Sequence, residues 1–200
     1  MVTIKTETKI SGNSLMKNQL CEVVIKHSQS GQIRIYSKGS DVYFVAGIEN
    51  LHSTDHCVTL CSKEHRTLLG DYKYKAMLCE HFMAACAFCK IDSLDVYLSE
   101  TEFPILDGSS KVWVELFNKA GIEGKNNDLY TVSEPVYYLN GKTSMVILPD
   151  KELTISYAVN YDHPDLRRRW VSFDPKNPNI YKSLIGGLGI SQILKNKEGK

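Results

Sequence analysis

No apolar run in this sequence is long enough to cross a bilayer, which takes about 20 residues. The longest, Ala76 to Cys89, is broken by Glu80 and His81, so no transmembrane segment is expected. Excess charge of either sign is also missing. Twenty-four Lys and Arg stand against 23 Asp and Glu, for a net charge of +1. That balance excludes a nucleic-acid binder that works by neutralising phosphates. Cysteine is sparse, with Cys21, Cys57, Cys61, Cys79, Cys86 and Cys89 the six present, which rules out a disulfide scaffold. Met1-Val2-Thr3-Ile4-Lys5 opens without a secretory leader. The expectation is a cytoplasmic protein with reduced thiols. Repeats of solenoid period and nucleophile elbows are absent. Gly186-Gly187-Leu188-Gly189 lacks the spacing of a dinucleotide or phosphate loop.

What is present is an ordinary globular composition, 42% hydrophobic and 24% charged, which argues against disorder of the whole chain. Cys21–Ile25, Gln32–Tyr36 and Asp41–Val45 are short runs rich in β-branched and aromatic residues. Ser30-Gly31 and Lys38-Gly39-Ser40 punctuate them as turns. Ala76 to Cys89 reads as a helix, apolar nearly all round and therefore buried. Ser93–Ser99 alternates Leu94, Val96 and Leu98 on one face, the pattern of a half-buried strand. Asp107-Gly108-Ser109-Ser110 supplies caps for a second helix. Val112, Trp113, Leu116, Phe117 and Ala120 give that helix an apolar face, and Gly121 stops it.

The polar stretch Glu123–Asp128 marks a domain boundary, giving domains at 1–124 and 128–200. Beyond it, Tyr130–Leu139, Thr143–Leu148 and Leu153–Val159 read as strands. Asn179–Ile185 and Ser191–Lys197 read as short helices. Strands of hairpin type segregated from the helices give an α+β class, with two sheet-plus-helix domains and the second incomplete.

Three clusters could carry chemistry. Glu80 and His81 sit near the start of an otherwise apolar helix. Burying either is costly without a partner, and a metal ion would be one. A neutral imidazole is a common zinc ligand, and a carboxylate beside metal-bound water is a general base. The plainer alternative is an exposed first turn. Asp107 stands in a loop leading to a helix, where turn formation and capping account for it. His52, His56, Cys57, Cys61 and His65 crowd metal-binding side chains into one stretch without zinc-site spacing. Arg167-Arg168-Arg169 could bind phosphate but fits a solvated charge run.

Several segments together resemble one family. Glu80-His81-Phe82-Met83-Ala84-Ala85, Ile91-Asp92-Ser93-Leu94, Glu102-Phe103-Pro104-Ile105-Leu106-Asp107-Gly108-Ser109-Ser110 and Ala120-Gly121-Ile122 stand in the order and spacing of the zinc-dependent UDP-3-O-acyl-N-acetylglucosamine deacetylases of lipid A biosynthesis. The likeness is strongest over residues 75–122. It continues to about residue 165, where Asn160-Tyr161-Asp162-His163-Pro164 echoes a His-Pro turn. It implies two domains facing each other across a site that takes a UDP-linked acylated amino sugar. By the same likeness His81 is a zinc ligand, Glu80 is the general base that deprotonates zinc-bound water, and Asp107 supports the site. The products would be acetate and a free amine.

The chain also departs from that family. The family's other zinc ligands, a His and an Asp four apart, have no counterpart, since no His follows His163. The later general-acid His is missing, and Gly and Leu fill Ile185–Gly189 where a Thr is expected. Ser14-Leu15-Met16 replaces a Gly-Leu-His turn, and Ser93 replaces an Asn. Three expectations follow. One is a truncated deacetylase completed by a second chain. Another is an inactive relative that binds a ligand or a partner. The third is a small zinc module built on the His52–His65 cluster.

Overall fold

The computed structural model describes residues 1–125, 131–160, 162 and 167–173. The expected helices at Asn179–Ile185 and Ser191–Lys197 lie outside the described residues, as do His163 and Gly186–Gly189. The described chain divides into two units that part near residue 126.

The first unit contains β1 (Val2–Ile4), β2 (Thr8–Asn13), β3 (Leu20–His27), β4 (Ile33–Tyr36), β5 (Tyr43–Val45), β6 (Leu51–Ser53), β7 (Thr59–Cys61) and β8 (Lys75–Met77). These are followed by α1 (Glu80–Phe88), β9 (Leu94–Leu98), α2 (Lys111–Ala120) and β10 (Ile122–Gly124). Its main sheet has the order β2-β3-β9-β4-β5. Only β4 and β9 run parallel, with Ile33 opposite Leu94. Strand geometry sends alternate side chains to opposite faces. Cys21, Val23 and Ile25 of β3, Ile33 and Ile35 of β4, and Leu94, Val96 and Leu98 of β9 are accordingly buried. The opposite face carries charge and aromatic rings. There Arg34 donates two 2.6 Å hydrogen bonds to Asp95, and Tyr36 stacks on Tyr97 at 4.4 Å.

Both helices bury apolar residues in the same core as the strands: Phe82, Ala85 and Cys86 from α1, and Trp113, Val114, Phe117 and Ala120 from α2. Four rings join the layers. Phe82 stacks on Phe103 at 5.0 Å and meets Trp113 and Phe117 edge-on at 5.2 and 5.8 Å. Gly121 ends α2 with φ 74°, a left-handed conformation that glycine adopts without steric cost.

The helix expected from Ala76 begins instead at Glu80. Ala76 and Met77 belong to β8, which pairs antiparallel with β7, and Met77 also bridges to Glu102. Leu78, at φ 58°, breaks the extended chain before the helix starts. The helix is also not buried all round, since Ala84 and Ala87 face solvent.

In the second unit, β11 (Val136–Asn140) pairs antiparallel with β12 (Thr143–Ile147), and β13 (Ile155–Val159) with β14 (Arg169–Phe173). Three of these strands were legible as strands. β14 was not, because the arginine run obscured it. No helix appears among this unit's described residues, and its strands expose apolar side chains such as Tyr137, Leu139 and Trp170.

Cutting Phe82 to Ala removes the ring common to three of these aromatic contacts. The expected cost is about 3–5 kcal/mol in a urea or thermal unfolding experiment. Ala87→Ser on the exposed side of the same helix should stay within about 0.5 kcal/mol of wild type.

Candidate functional site

Glu80 opens α1 and is half-buried. No side chain caps this helix, so its first N–H groups present partial positive charge to the Glu80 carboxylate. The carboxylate is also tied to the neighbouring turn, where the Val58 backbone N–H donates to Glu80 Oε2 at 3.1 Å. The Val58 carbonyl is held in turn. It accepts the Cys79 N–H at 3.4 Å and the Cys79 thiol at 3.2 Å. The backbone of one residue, Val58, thus links the residue before α1 and the Glu80 carboxylate through its N–H and its C=O. Burial pushes the Cys79 thiol up to about 12, with Glu80 and Cys57 adding to the rise, so at neutral pH it is a donor and not a thiolate.

His81 follows on the same turn and is half-buried. Among the described residues none hydrogen-bonds or ion-pairs with its imidazole. Glu80 and His81 therefore match neither simple expectation. They are not sunk in the core, and they are not on a fully exposed turn.

The 101–109 segment is anchored beside them. Met77 N–H donates to the Thr101 carbonyl at 2.9 Å, and Phe103 N–H donates to the Met77 carbonyl at 2.9 Å. On its other side it lies against β2. Ile105 N–H donates to the Asn13 carbonyl at 3.1 Å. A Cβ on Gly12 would come within 3.1 Å of Leu106 and 3.2 Å of Pro104. Only glycine admits that approach without a shift. Asp107 accepts hydrogen bonds from the Ser109 N–H (3.0 Å) and hydroxyl (2.9 Å), and Ser109 Oγ accepts the Lys111 N–H at the start of α2 (3.1 Å). Asp107 thus closes the turn, and Ser109 takes the N–H at the helix start. Leu78 precedes the Cys79-Glu80 step and Leu106 precedes Asp107, and both have left-handed φ angles, 58° and 53°. Such conformations cost about 1–3 kcal/mol each and gather at functional sites.

Sequence reasoning missed Val58, whose role lies in its backbone, and the burial of Glu102. Glu102 is fully buried. Its Oε1 accepts the Met16 N–H at 2.8 Å, and among the described residues its Oε2 has no partner. Ser93, also fully buried, donates to the Ser28 carbonyl and accepts the Gly31 N–H.

The His52–His65 cluster does not assemble. Cys57 and Cys61 point into the protein, and His52 and His56 are exposed. His65 makes a 2.8 Å hydrogen bond with Ser62. Among the described residues no group of three or more His, Cys, Asp or Glu could hold a metal. That removes the small zinc module. It also means that His81 and Glu80 do not by themselves make a zinc centre, which needs three protein ligands. In the second unit, Arg167 pairs with Asp162 at 2.6 Å, and both line a concavity with Lys142, Asn160 and Arg168.

A Glu-His pair thus opens a helix that shares its core with the main sheet, and the Asp107 turn leads into the next helix. The chain matches the family LpxC, UDP-3-O-acyl N-acetylglycosamine deacetylase, over residues 1–186, and it belongs to that family. It is 33% identical over 143 residues to the UDP-3-O-acyl-N-acetylglucosamine deacetylase of Chlamydia muridarum, covering 70% of this chain and 43% of that protein. The enzyme of the same name from Chlamydia trachomatis serovar D is 27% identical over 165 residues, or 80% and 54%. That from Citrifermentans bemidjiense is 25% identical over 174 residues, or 86% and 55%. The chain spans about half the length of the curated relatives it matches.

Removing the Glu80 carboxylate as Glu80→Ala should leave the Val58 amide without its acceptor. Hydrogen exchange is expected to speed up at Val58, while Leu60, inside the β6-β7-β8 sheet, keeps its protection. Ser109→Ala should cost about 1 kcal/mol through the lost cap on Lys111.

Proposed function

We propose that this chain carries one half of the active site of a UDP-3-O-acyl-N-acetylglucosamine deacetylase, with Glu80 as the proton acceptor, His81 as a metal ligand and Asp107 as a supporting residue. The observation that carries the reading is the Glu80–Val58 contact. It fixes one carboxylate oxygen at a helix N-terminus and leaves the other to accept a proton. A fixed carboxylate of this kind suits general-base removal of a proton from the water that attacks an N-acetyl carbonyl. Loss of acetate then frees the amine of a UDP-linked acylated amino sugar.

The described residues supply a single imidazole towards zinc, so the remaining ligands must come from elsewhere. They would come from a second chain that completes the site, because the partial second deacetylase-like domain, taken here as residues 128–200, has no counterpart of the family's remaining His and Asp ligands. The first such domain is taken as residues 1–124. The division of the structure near residue 126 supports that boundary. All six cysteines are unpaired, which favours a reducing, cytoplasmic setting. The shortage of metal-ligating residues also keeps a second reading open, a relative that binds a ligand or partner without turnover.

Zinc stoichiometry of the purified chain, measured beside His81→Ala, separates the two. About one tightly held zinc that disappears in His81→Ala is expected if other residues complete the site. Zinc-free protein, or zinc indifferent to the substitution, would leave the binding role.

A further inference from the structure

The β7–β8 hairpin continues past its two strands. Ser62 N–H donates to the Tyr74 carbonyl at 2.9 Å, Lys73 N–H to the His65 carbonyl at 3.0 Å and Thr67 N–H to the Asp71 carbonyl at 2.7 Å. Arg66 bridges antiparallel to Tyr72. A four-residue turn closes the tip, with the Gly70 N–H on the Thr67 carbonyl at 2.9 Å. Gly70 takes φ 88°, and a Cβ there would meet nothing within 4 Å. Leu68 and Leu69 fill the two central positions of this turn, where Gly, Asn, Asp and Pro are the usual residues. They are 108% and 91% exposed. The chain below them is well tied. The Arg66 guanidinium lies 4.4 Å from the Tyr72 ring centroid and donates to the Tyr72 hydroxyl at 2.8 Å and the Gly70 carbonyl at 3.0 Å. His52 of β6 meets Tyr72 edge-on at 4.9 Å. An ordered hairpin thus holds two adjacent leucines out in water.

We propose that the 62–75 hairpin is a peripheral membrane anchor whose Leu68 and Leu69 enter the acyl boundary of an anionic lipid surface. The residues around the tip select that occupant. Lys63, Arg66, Lys73 and Lys75 stand on the hairpin against Glu64 and Asp71, a local positive excess in a chain with a net charge of only +1. Binding to a bilayer surface scales with the apolar area inserted and with attraction between cations and anionic headgroups. Long lysine side chains reach headgroups while apolar neighbours go deeper. Tyr72 and Tyr74, half-buried lower on the hairpin, are of the residue type enriched where membrane meets water. The contact is peripheral, since among the described residues no helix is long and apolar enough to cross a membrane. Two leucines alone hold a surface weakly, and the cations supply the second attraction that a lasting contact needs. The anchor does not depend on the deacetylase reading, and its binding is measured without substrate or metal.

The test is co-sedimentation of the full chain with vesicles of phosphatidylcholine alone and of phosphatidylcholine containing about one third phosphatidylglycerol. The chain is expected to bind the mixed vesicles, to bind phosphatidylcholine alone far more weakly, and to come off the mixed vesicles as NaCl rises from about 0.1 to 1 M. The double substitution Leu68→Ser with Leu69→Ser lies on an exposed turn and leaves folding unchanged. It should weaken binding by about tenfold or more. Leu139→Ser, which removes an exposed leucine of the second unit, should bind as the wild type does. Failure of the wild-type chain to bind mixed vesicles would overturn the proposal, as would equal binding to both vesicle types. Undiminished binding by the double leucine variant, or an equal loss in Leu139→Ser, would do the same. Self-association that the double leucine variant abolishes, without vesicle binding, would assign the tip to a second copy of the chain instead.

Discussion

Burial of the Phe82, Phe103, Trp113 and Phe117 rings is the constraint on which the first unit depends. The four rings come from three stretches of chain: Phe82 from the first turn of α1, Phe103 from the segment after Glu102, and Trp113 and Phe117 from α2. Aromatic pairs at these separations add about 0.5–1.5 kcal/mol beyond their buried area. Their larger effect is positional. Because Phe82 must lie against Phe103, the residues just before each ring are brought together. Those residues are Glu80-His81 on one side and the Thr101–Glu102 strand bridge on the other. The sheet contributes Val23, Ile25, Ile35, Leu94 and Val96 to the same apolar core.

The site is built at the edge of that packing. Glu80 cannot follow Phe82 inward, because the helix turns its side chain away from the core and no apolar neighbour could solvate a carboxylate. It is met by backbone instead, through the Val58 N–H and the free N–H groups of the helix start. The strain at Leu78 and Leu106 belongs to the same design. Each left-handed residue turns the chain sharply just before a motif residue, and the packed rings behind it hold the turn in place.

About half of the first unit's elements could be read from the sequence. Alternation in Cys21–Ile25 and Leu94–Leu98, and the helical spacing from Val112 to Ala120 with Gly121 as stop, placed β3, β9 and α2. The Glu80-His81 pair and the Asp107 turn were legible as motifs. The start of α1 was not, because Ala76, Met77, Leu78 and Cys79 are all compatible with a helix. Only the pairing with β7 and Glu102, distant in sequence, makes the first two a strand. The role of Val58 was invisible because it rests on a peptide N–H that any residue but proline would supply. Glu102 read as the first letter of a motif, whereas its complete burial depends on the turn at Met16. The short strands β1 and β10 exist only by pairing with each other across the length of the unit, which no local pattern records.

The most direct measurement is acetate release from UDP-3-O-acyl-N-acetylglucosamine by a hybrid that joins residues 1–125 to the remaining length of a matched relative, with and without Glu80→Gln. The hybrid is expected to release acetate, and Glu80→Gln to lower the rate by about 10²–10⁴-fold, the range lost with a general base, while the fold stays intact. A hybrid that releases none, or one in which Glu80→Gln works as fast as the parent, would contradict the assignment of Glu80 as the base.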